Sequence, residues 1–239
     1  VEPVHAETVA YHWRILEQTQ SRSGEQLSAQ TVDHGQRALR EHFARLQHEA
    51  TVEPVLFRRR PDSQLEPVGV YRCRILPAAM FTVSIVIPCK LGTKRMINGK
   101  NIELLAHCME RLGETLSSSS PYIANISSEV VVVTNHEDDL DKANHMISYY
   151  GLEGFSIQDE DGFDFARKCN LGARHAKGDI LVFLNDDTVF ETEGWIAEVV
   201  SLLQQEDVAC VGGMLLNADL TVQSCGDNVG RNSAVHYAP

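Results

Sequence analysis

The sequence predicts an α/β protein whose sheet is mostly parallel and covered by helices. Apolar runs short enough to be buried strands lie at residues 83–88, 129–134 and 180–184. Segments with helical spacing of apolar residues lie between and after these runs. Alternation of strand and helix favours a parallel sheet with helices on its faces, because parallel strands need long crossover connections.

The helices are predicted from periodicity and from helix-end signals. Apolar residues recur at helical spacing in two segments, namely at Ile102, Leu105, Met109 and Leu112, and at Trp195, Val199 and Leu202. We also predict a helix over residues 163–178, closed by Gly178 and leading directly into the third strand. A further strand is predicted at residues 208–211.

The third strand ends in Asn185 and two adjacent carboxylates, Asp186 and Asp187. Ligands of α/β folds gather outside the carboxyl ends of strands. Hard carboxylate oxygens there suit Mg²⁺ or Mn²⁺ held jointly with a diphosphate, because such ions rarely obtain a full cage from protein alone. The alternative is a turn with a helix cap, and the pair by itself favours neither interpretation.

Several motifs together resemble those of bacterial family 2 glycosyltransferases with the GT-A fold. They are V-S-I-V-I-P at 83–88, Phe163 and Phe165 followed by N-x-G at 170–172, A-x-G-D at 176–179, F-L-N-D-D-T at 183–188, G-W at 194–195 and V-G-G-M-L at 211–215. The segment V-Q-S-C-G at 222–226 lies where members usually have a variant of Ile-Gln-His-Ala-Gly. The resemblance implies a GT-A-like nucleotide-sugar-binding domain over residues 81–239.

The resemblance further implies an inverting glycosyltransferase. It would transfer a sugar from a nucleotide-diphosphate donor to a saccharide or lipid-linked acceptor in surface polysaccharide synthesis. In such a site Asp187, assisted by Asp186, holds Mn²⁺ or Mg²⁺, which acts as a Lewis acid on the leaving diphosphate. The alternative function is a non-catalytic module that binds a nucleotide-sugar or a partner glycosyltransferase. A nucleotidyltransferase is disfavoured, because the loop after the first strand is poor in glycine.

By the same resemblance, a set of side chains near the strand ends is expected to bind the donor. These residues are Pro88, Thr134, Arg167, Lys168, Asn170, Asn185 and Asp186. For Arg167 and Lys168 the alternative is a solvated helix face, and for Asn170 it is a structural role.

The sequence departs from the family pattern at three places. Thr134 stands where members commonly have the Asp that accepts a hydrogen bond from the base, so the nucleotide is left open. The first loop, residues 89–100, is longer and more basic than expected, and it either grips phosphate or is solvated. The catalytic base is unassigned: members carry it after the metal motif, and Asp227 is the only acid after Gly226. We therefore expect a truncated sequence with an incomplete acceptor half, or a protein that does not transfer sugar by the usual route.

Residues 1–80 are predicted to be a helical and linker region. The segment Y-H-W-R at 11–14 resembles the element that ends a preceding glycosyltransferase module in tandem enzymes, so further modules of the same chain are expected as partners. An amphipathic helix is predicted at 31–48 and an edge strand at 68–75. The run R-R-R-P at 58–61 either touches an anionic membrane or is a solvated linker.

Composition limits the function without choosing it. The 239 residues carry a net charge of −12, which argues against a nucleic-acid partner. The six cysteines lack metal-ligand spacing and are interpreted as reduced, buried thiols of a cytoplasmic protein. No signal peptide or membrane span is recognised in the sequence, so association with the inner face of the cell membrane is expected to be peripheral at most.

Overall fold

The computed structural model describes residues 29–57, 64–97, 99–117, 123–162, 164–230 and 233–236, the last few (227–230 and 233–236) by main chain only. The motif at 11–14, the basic run at 58–61, Phe163 and the side chain of Asp227 lie outside the described part. The chain divides into two compact units, Val1–Cys73 and Arg74–Pro239. The domain limits predicted from sequence, 1–80 and 81–239, stay a prediction.

The N-terminal unit contains one helix and two paired strands, the second of which continues two residues past Cys73. Helix α1 (Ala29–Arg45) lies within two or three residues of the predicted helix, and it is followed by β1 (Ala50–Phe57) and β2 (Glu66–Ile75). Strand β2 covers the predicted edge strand, whereas β1 was not predicted. The Gln36 side chain donates a hydrogen bond to the Val52 carbonyl at 2.9 Å, which joins α1 to β1.

The second unit is built on a four-stranded parallel sheet, which confirms the predicted α/β class. In chain order the four strands of the sheet are β3 (Phe81–Pro88), β6 (Ile126–Thr134), β7 (Gly154–Gln158) and β8 (Ile180–Phe183). A short hairpin of β4 (Lys94–Ile97) and β5 (Lys100–Glu103) follows β3 in the chain. The sheet order is β7-β6-β3-β8, and every pairing in it is parallel. The hairpin β4–β5 forms a separate antiparallel pair.

Helices cover both faces of this sheet. They are α2 (Leu104–Leu116), α3 (Leu140–Tyr149), α4 (Phe165–His175) and α5 (Trp195–Leu203). Alternate residues of β3 and β6 point to opposite faces. On one face Ile85 and Val132 pack with buried residues of α2, α3 and α5, and on the other Val86 and Val131 pack with Leu171 of α4. The core therefore sits around the two central strands.

The predicted helix over 163–178 is too long at both ends. Asp164 caps α4 by accepting a hydrogen bond from the Arg167 N–H, and the helix ends at His175 with extended backbone at Ala176. Gly178 therefore does not close the helix. A Cβ at Gly178 would lie 2.6 Å from the Ser84 backbone nitrogen, so this glycine allows the chain to pass close to β3.

Other local predictions were also wrong. Strand β8 is not fully buried, because it lies at the edge of the described sheet, and Phe183 on it is 53% exposed. Residues 208–211 form no strand. Among the cysteines only Cys89 and Cys108 are buried, while Cys210 and Cys225 are exposed.

The last described elements are two short antiparallel pairs. They are β9 (Leu215–Leu216) with β10 (Val222–Ser224), and β11 (Asp227–Gly230) with β12 (Ser233–His236). No helix in the described ranges is long and apolar enough to cross a membrane.

Candidate functional site

The candidate site lies at the carboxyl ends of β3, β6 and β8. These strands are parallel and adjacent, so their ends meet at one edge of the sheet. Pro88 of β3 pairs with Val133, next to Thr134, and the Leu184 N–H donates to the Val86 carbonyl just beyond β8. The fold thus brings the predicted strand-end residues to the same edge.

Asp186 and Asp187 follow β8 with different surroundings. Asp186 is half-buried, and burial together with the charge of Asp187 raises the pKa of its carboxyl above the usual value. The backbone N–H of Lys90 opposes this shift by hydrogen bonding to the Asp186 carboxylate. The Asp187 side chain is 36% exposed, and its Oδ2 lies 3.6 Å from Nη1 of Arg95 on β4.

The acid pair fits a divalent ion that is shared with a substrate. Within the described ranges there is no cluster of three or more His, Cys, Asp or Glu that could cage a metal. Mg²⁺ and similar ions commonly use one or two carboxylates plus substrate phosphates, which matches two adjacent carboxylates. Cys89 and Cys108 lie nearby, but burial raises the pKa of each thiol to about 12, so neither supplies a thiolate at neutral pH.

Lys168 lies inside the protein beneath the strand ends. Its side chain is fully buried, and Nζ donates hydrogen bonds to the carbonyls of Cys89 at 2.6 Å and Val133 at 3.0 Å. Burial lowers the pKa of this ammonium below its usual value. A solvated helix face, the alternative for Lys168, is therefore wrong.

Arg167 faces a cleft and is held by acidic partners. Its Nε lies 3.0 Å from Oδ1 of the buried Asp159, and Nη2 donates to the Gly162 carbonyl at 2.9 Å. Asp161 is a second carboxylate partner at 3.4 Å. Arg167 is thus fixed in place rather than freely solvated, and part of its charge is already balanced.

The cleft has a volume of about 440 Å³. Its walls include Gln158 and Asp159 at the end of β7, and Arg167, Asn170 and Arg174 on α4. Asn170 is exposed on this wall. Its donor-binding role and the structural alternative both stay predictions.

Pro88, Thr134 and Lys168 are buried, in contrast to Asn170 and Asn185, which are exposed. The Thr134 hydroxyl donates a hydrogen bond to the His136 carbonyl at 3.3 Å. In this structure the three buried side chains are not accessible to a ligand. Their donor-binding role stays a prediction.

Several polar groups at this edge were not predicted from the sequence. Arg95 was part of a basic loop without a role of its own, and Asp159 lies in an acidic stretch with no motif. Asn135, next to Thr134, has a buried Nδ2 with no hydrogen-bond partner in the described part of the chain. A buried unpaired donor is costly and calls for an explanation, and the burial of this amide was not visible from the sequence.

One family and two curated proteins match parts of this chain. Residues 110–224 match the family described as Glycosyl transferase family 2. The uncharacterized protein y4gI of Sinorhizobium fredii is 26% identical over 233 residues, covering 95% of this chain and 22% of that protein. The O-antigen biosynthesis protein RfbC of Myxococcus xanthus is 38% identical over 68 residues, 28% of this chain and 5% of that protein. The chain thus spans less than a quarter of the length of these relatives.

Two solved structures match this chain with low TM-scores. A mannosyltransferase from Pyrobaculum calidifontis, in complex with GDP-Man and Mn²⁺, is 16% identical with a TM-score of 0.41, over 74% of this chain and 42% of that chain. A cytidylyltransferase from Leptospira borgpetersenii is 21% identical with a TM-score of 0.32, over 54% and 51%.

Proposed function

We propose that this chain binds a nucleotide-diphosphate sugar at the carboxyl ends of β3, β6 and β8, since its residues 110–224 match glycosyl transferase family 2. The carboxylate pair Asp186 and Asp187 at the end of β8 is the observation that carries this proposal. The reaction is transfer of the sugar to a saccharide or lipid-linked acceptor with inversion at the anomeric carbon. A role in surface polysaccharide synthesis is supported by the similarity to an O-antigen biosynthesis protein.

The acid pair is assigned to the donor's diphosphate through a divalent ion, Mn²⁺ or Mg²⁺. Such an ion supplies positive charge where the leaving diphosphate becomes more negative. Asp187 is the more exposed carboxylate and is the proposed direct ligand, while the half-buried Asp186 assists it. Asn185 precedes the pair, is exposed, and is proposed to contact the sugar or ribose.

The cleft beside β7 and α4 is proposed to hold the nucleoside part of the donor. Arg167 and Asn170 both line it, and Asp159 keeps the Arg167 side chain in a fixed position. An arginine held by a buried carboxylate loses little side-chain entropy when a ligand binds. Pro88, Thr134 and Lys168 shape the floor of the site from below the surface.

A screen of nucleoside diphosphates tests the donor assignment. Thermal melts with UDP, GDP, CDP and dTDP, each with and without Mn²⁺, should show stabilisation by at least one of them that requires the metal. Stabilisation that is equal without metal, or absent for every nucleotide, contradicts the donor site. Transfer is then followed with the matching nucleotide-sugar and a panel of saccharide acceptors. Binding without any turnover would support the non-catalytic alternative.

A further inference from the structure

We propose that Arg95 is a further donor-site residue that changes partners during binding. In the free protein its guanidinium pairs with Asp187, and with metal and donor bound it pairs with the donor's diphosphate. This inference rests on the proposed function. It concerns the β4–β5 hairpin, which is inserted between β3 and α2.

The hairpin is anchored next to the acid pair. At its base the Leu104 N–H donates to the Thr93 carbonyl at 3.0 Å. The segment then contacts both carboxylates: the Lys90 backbone N–H bonds to Asp186, and Arg95 Nη1 lies 3.6 Å from Asp187 Oδ2. The inserted segment thus supplies the positive groups that balance the strand-end acids.

The position of Arg95 on β4 explains why it and not its neighbour makes this contact. Side chains alternate along a strand, so Lys94 points to the opposite face of the hairpin. Lys94 pairs in register with Glu103, and Arg95 pairs with Ile102. The Arg95 side chain is 65% exposed, so no packing prevents it from turning to a new partner.

A metal ion on Asp187 cannot share that carboxylate with a guanidinium without electrostatic repulsion. Binding of the ion therefore releases Arg95. The nearest new anion is then the diphosphate on the same ion, and a guanidinium matches phosphate oxygens through paired N–H donors. Arg95 consequently weakens binding of the metal alone and strengthens binding of metal and diphosphate together.

The test compares Arg95→Gln with Lys94→Gln, which makes the same charge change on the opposite face of the hairpin. Calorimetry with Mn²⁺ alone should show about two- to fivefold tighter binding by R95Q than by the wild type, since an exposed ion pair with Asp187 is removed. With Mn²⁺ present, R95Q should bind the nucleoside diphosphate chosen by the wild type about tenfold more weakly, since a charge-assisted contact is lost. K94Q should resemble the wild type in both titrations.

Arg95→Lys, which keeps the charge, should retain the wild-type affinity for Mn²⁺ alone. The proposal is overturned if R95Q matches K94Q in either titration, or if both affinities change in the same direction. Failure of the proposed function looks different, because the wild type itself would then show no metal-dependent binding of any nucleoside diphosphate. Melting curves of each variant confirm that the titrated proteins are folded.

Discussion

Replacing Lys168 by Met tests how the site edge is held together. Methionine fills a similar space but removes the buried ammonium, which donates to the carbonyls of Cys89 and Val133. The Val133 carbonyl keeps a partner, because it also accepts the Cys89 N–H at 3.0 Å. The Cys89 carbonyl loses the lysine bond. Leaving a buried acceptor unpaired costs about 1–3 kcal/mol, and relief of the buried charge offsets part of this cost.

We therefore expect K168M to lower the free energy of unfolding by about 1–3 kcal/mol, measured by urea denaturation at pH 7. The matched control is Lys142→Met, where the lysine side chain is 66% exposed and the change should stay within about 0.5 kcal/mol. K168M should also weaken nucleotide binding, because the strand ends that frame the site are less firmly joined. Equal stability of K168M and K142M would refute the structural role given to this lysine.

Three further changes test the local geometry. Asp186→Asn should raise the melting temperature at pH 7 in metal-free buffer, because the raised pKa of Asp186 means that its ionised form is disfavoured in the folded state. This gain should shrink as the pH falls through that raised pKa and vanish below the ordinary value of 3.8; a gain that does not change with pH contradicts it. Gly178→Ala should destabilise the fold by about 1–3 kcal/mol through a backbone clash, whereas Gly212→Ala, with open space around it, should not. Equal melting temperatures of these two variants would show that the chain adjusts at Gly178. Thr134→Val should leave nucleotide affinity within about twofold, because the hydroxyl is buried and bonded to a nearby carbonyl. A tenfold loss of affinity in calorimetry would show that the hydroxyl contacts the nucleotide.

The parallel sheet was predictable because its signal is local. The runs at 83–88 and 129–134 are mostly apolar, as strands with helices on both faces require, and they became β3 and β6. The edge position of β8 depends on which strands are its neighbours, and a window of sequence does not contain that information. The end of α4 was predicted wrongly for a similar reason. Gly178 is required by the close approach of the chain to β3, and it does not end the helix before it.

The site was predictable where the chemistry follows a strand end. Asp186 and Asp187 were found because two carboxylates after an apolar run stand out in the sequence. Arg95 contacts Asp187, which is 92 positions away in the chain, and Lys168 contacts Cys89, which is 79 positions away. No short-range pattern in the sequence encodes such contacts. Lys168 also contradicts the usual preference of lysine for the surface, and only its two carbonyl partners explain its burial.

The most direct test of the central claim is the affinity for a nucleoside diphosphate with and without Mn²⁺, measured by calorimetry for the wild type and for Asp187→Asn. The substitution removes one charge, keeps the shape, and falls on a side chain that is 36% exposed, so the fold should not change. We expect Mn²⁺ to tighten wild-type binding by about tenfold or more and to leave the binding by D187N unchanged. If Mn²⁺ strengthens binding equally in both proteins, or in neither, the acid pair at the end of β8 is not the donor-binding metal site.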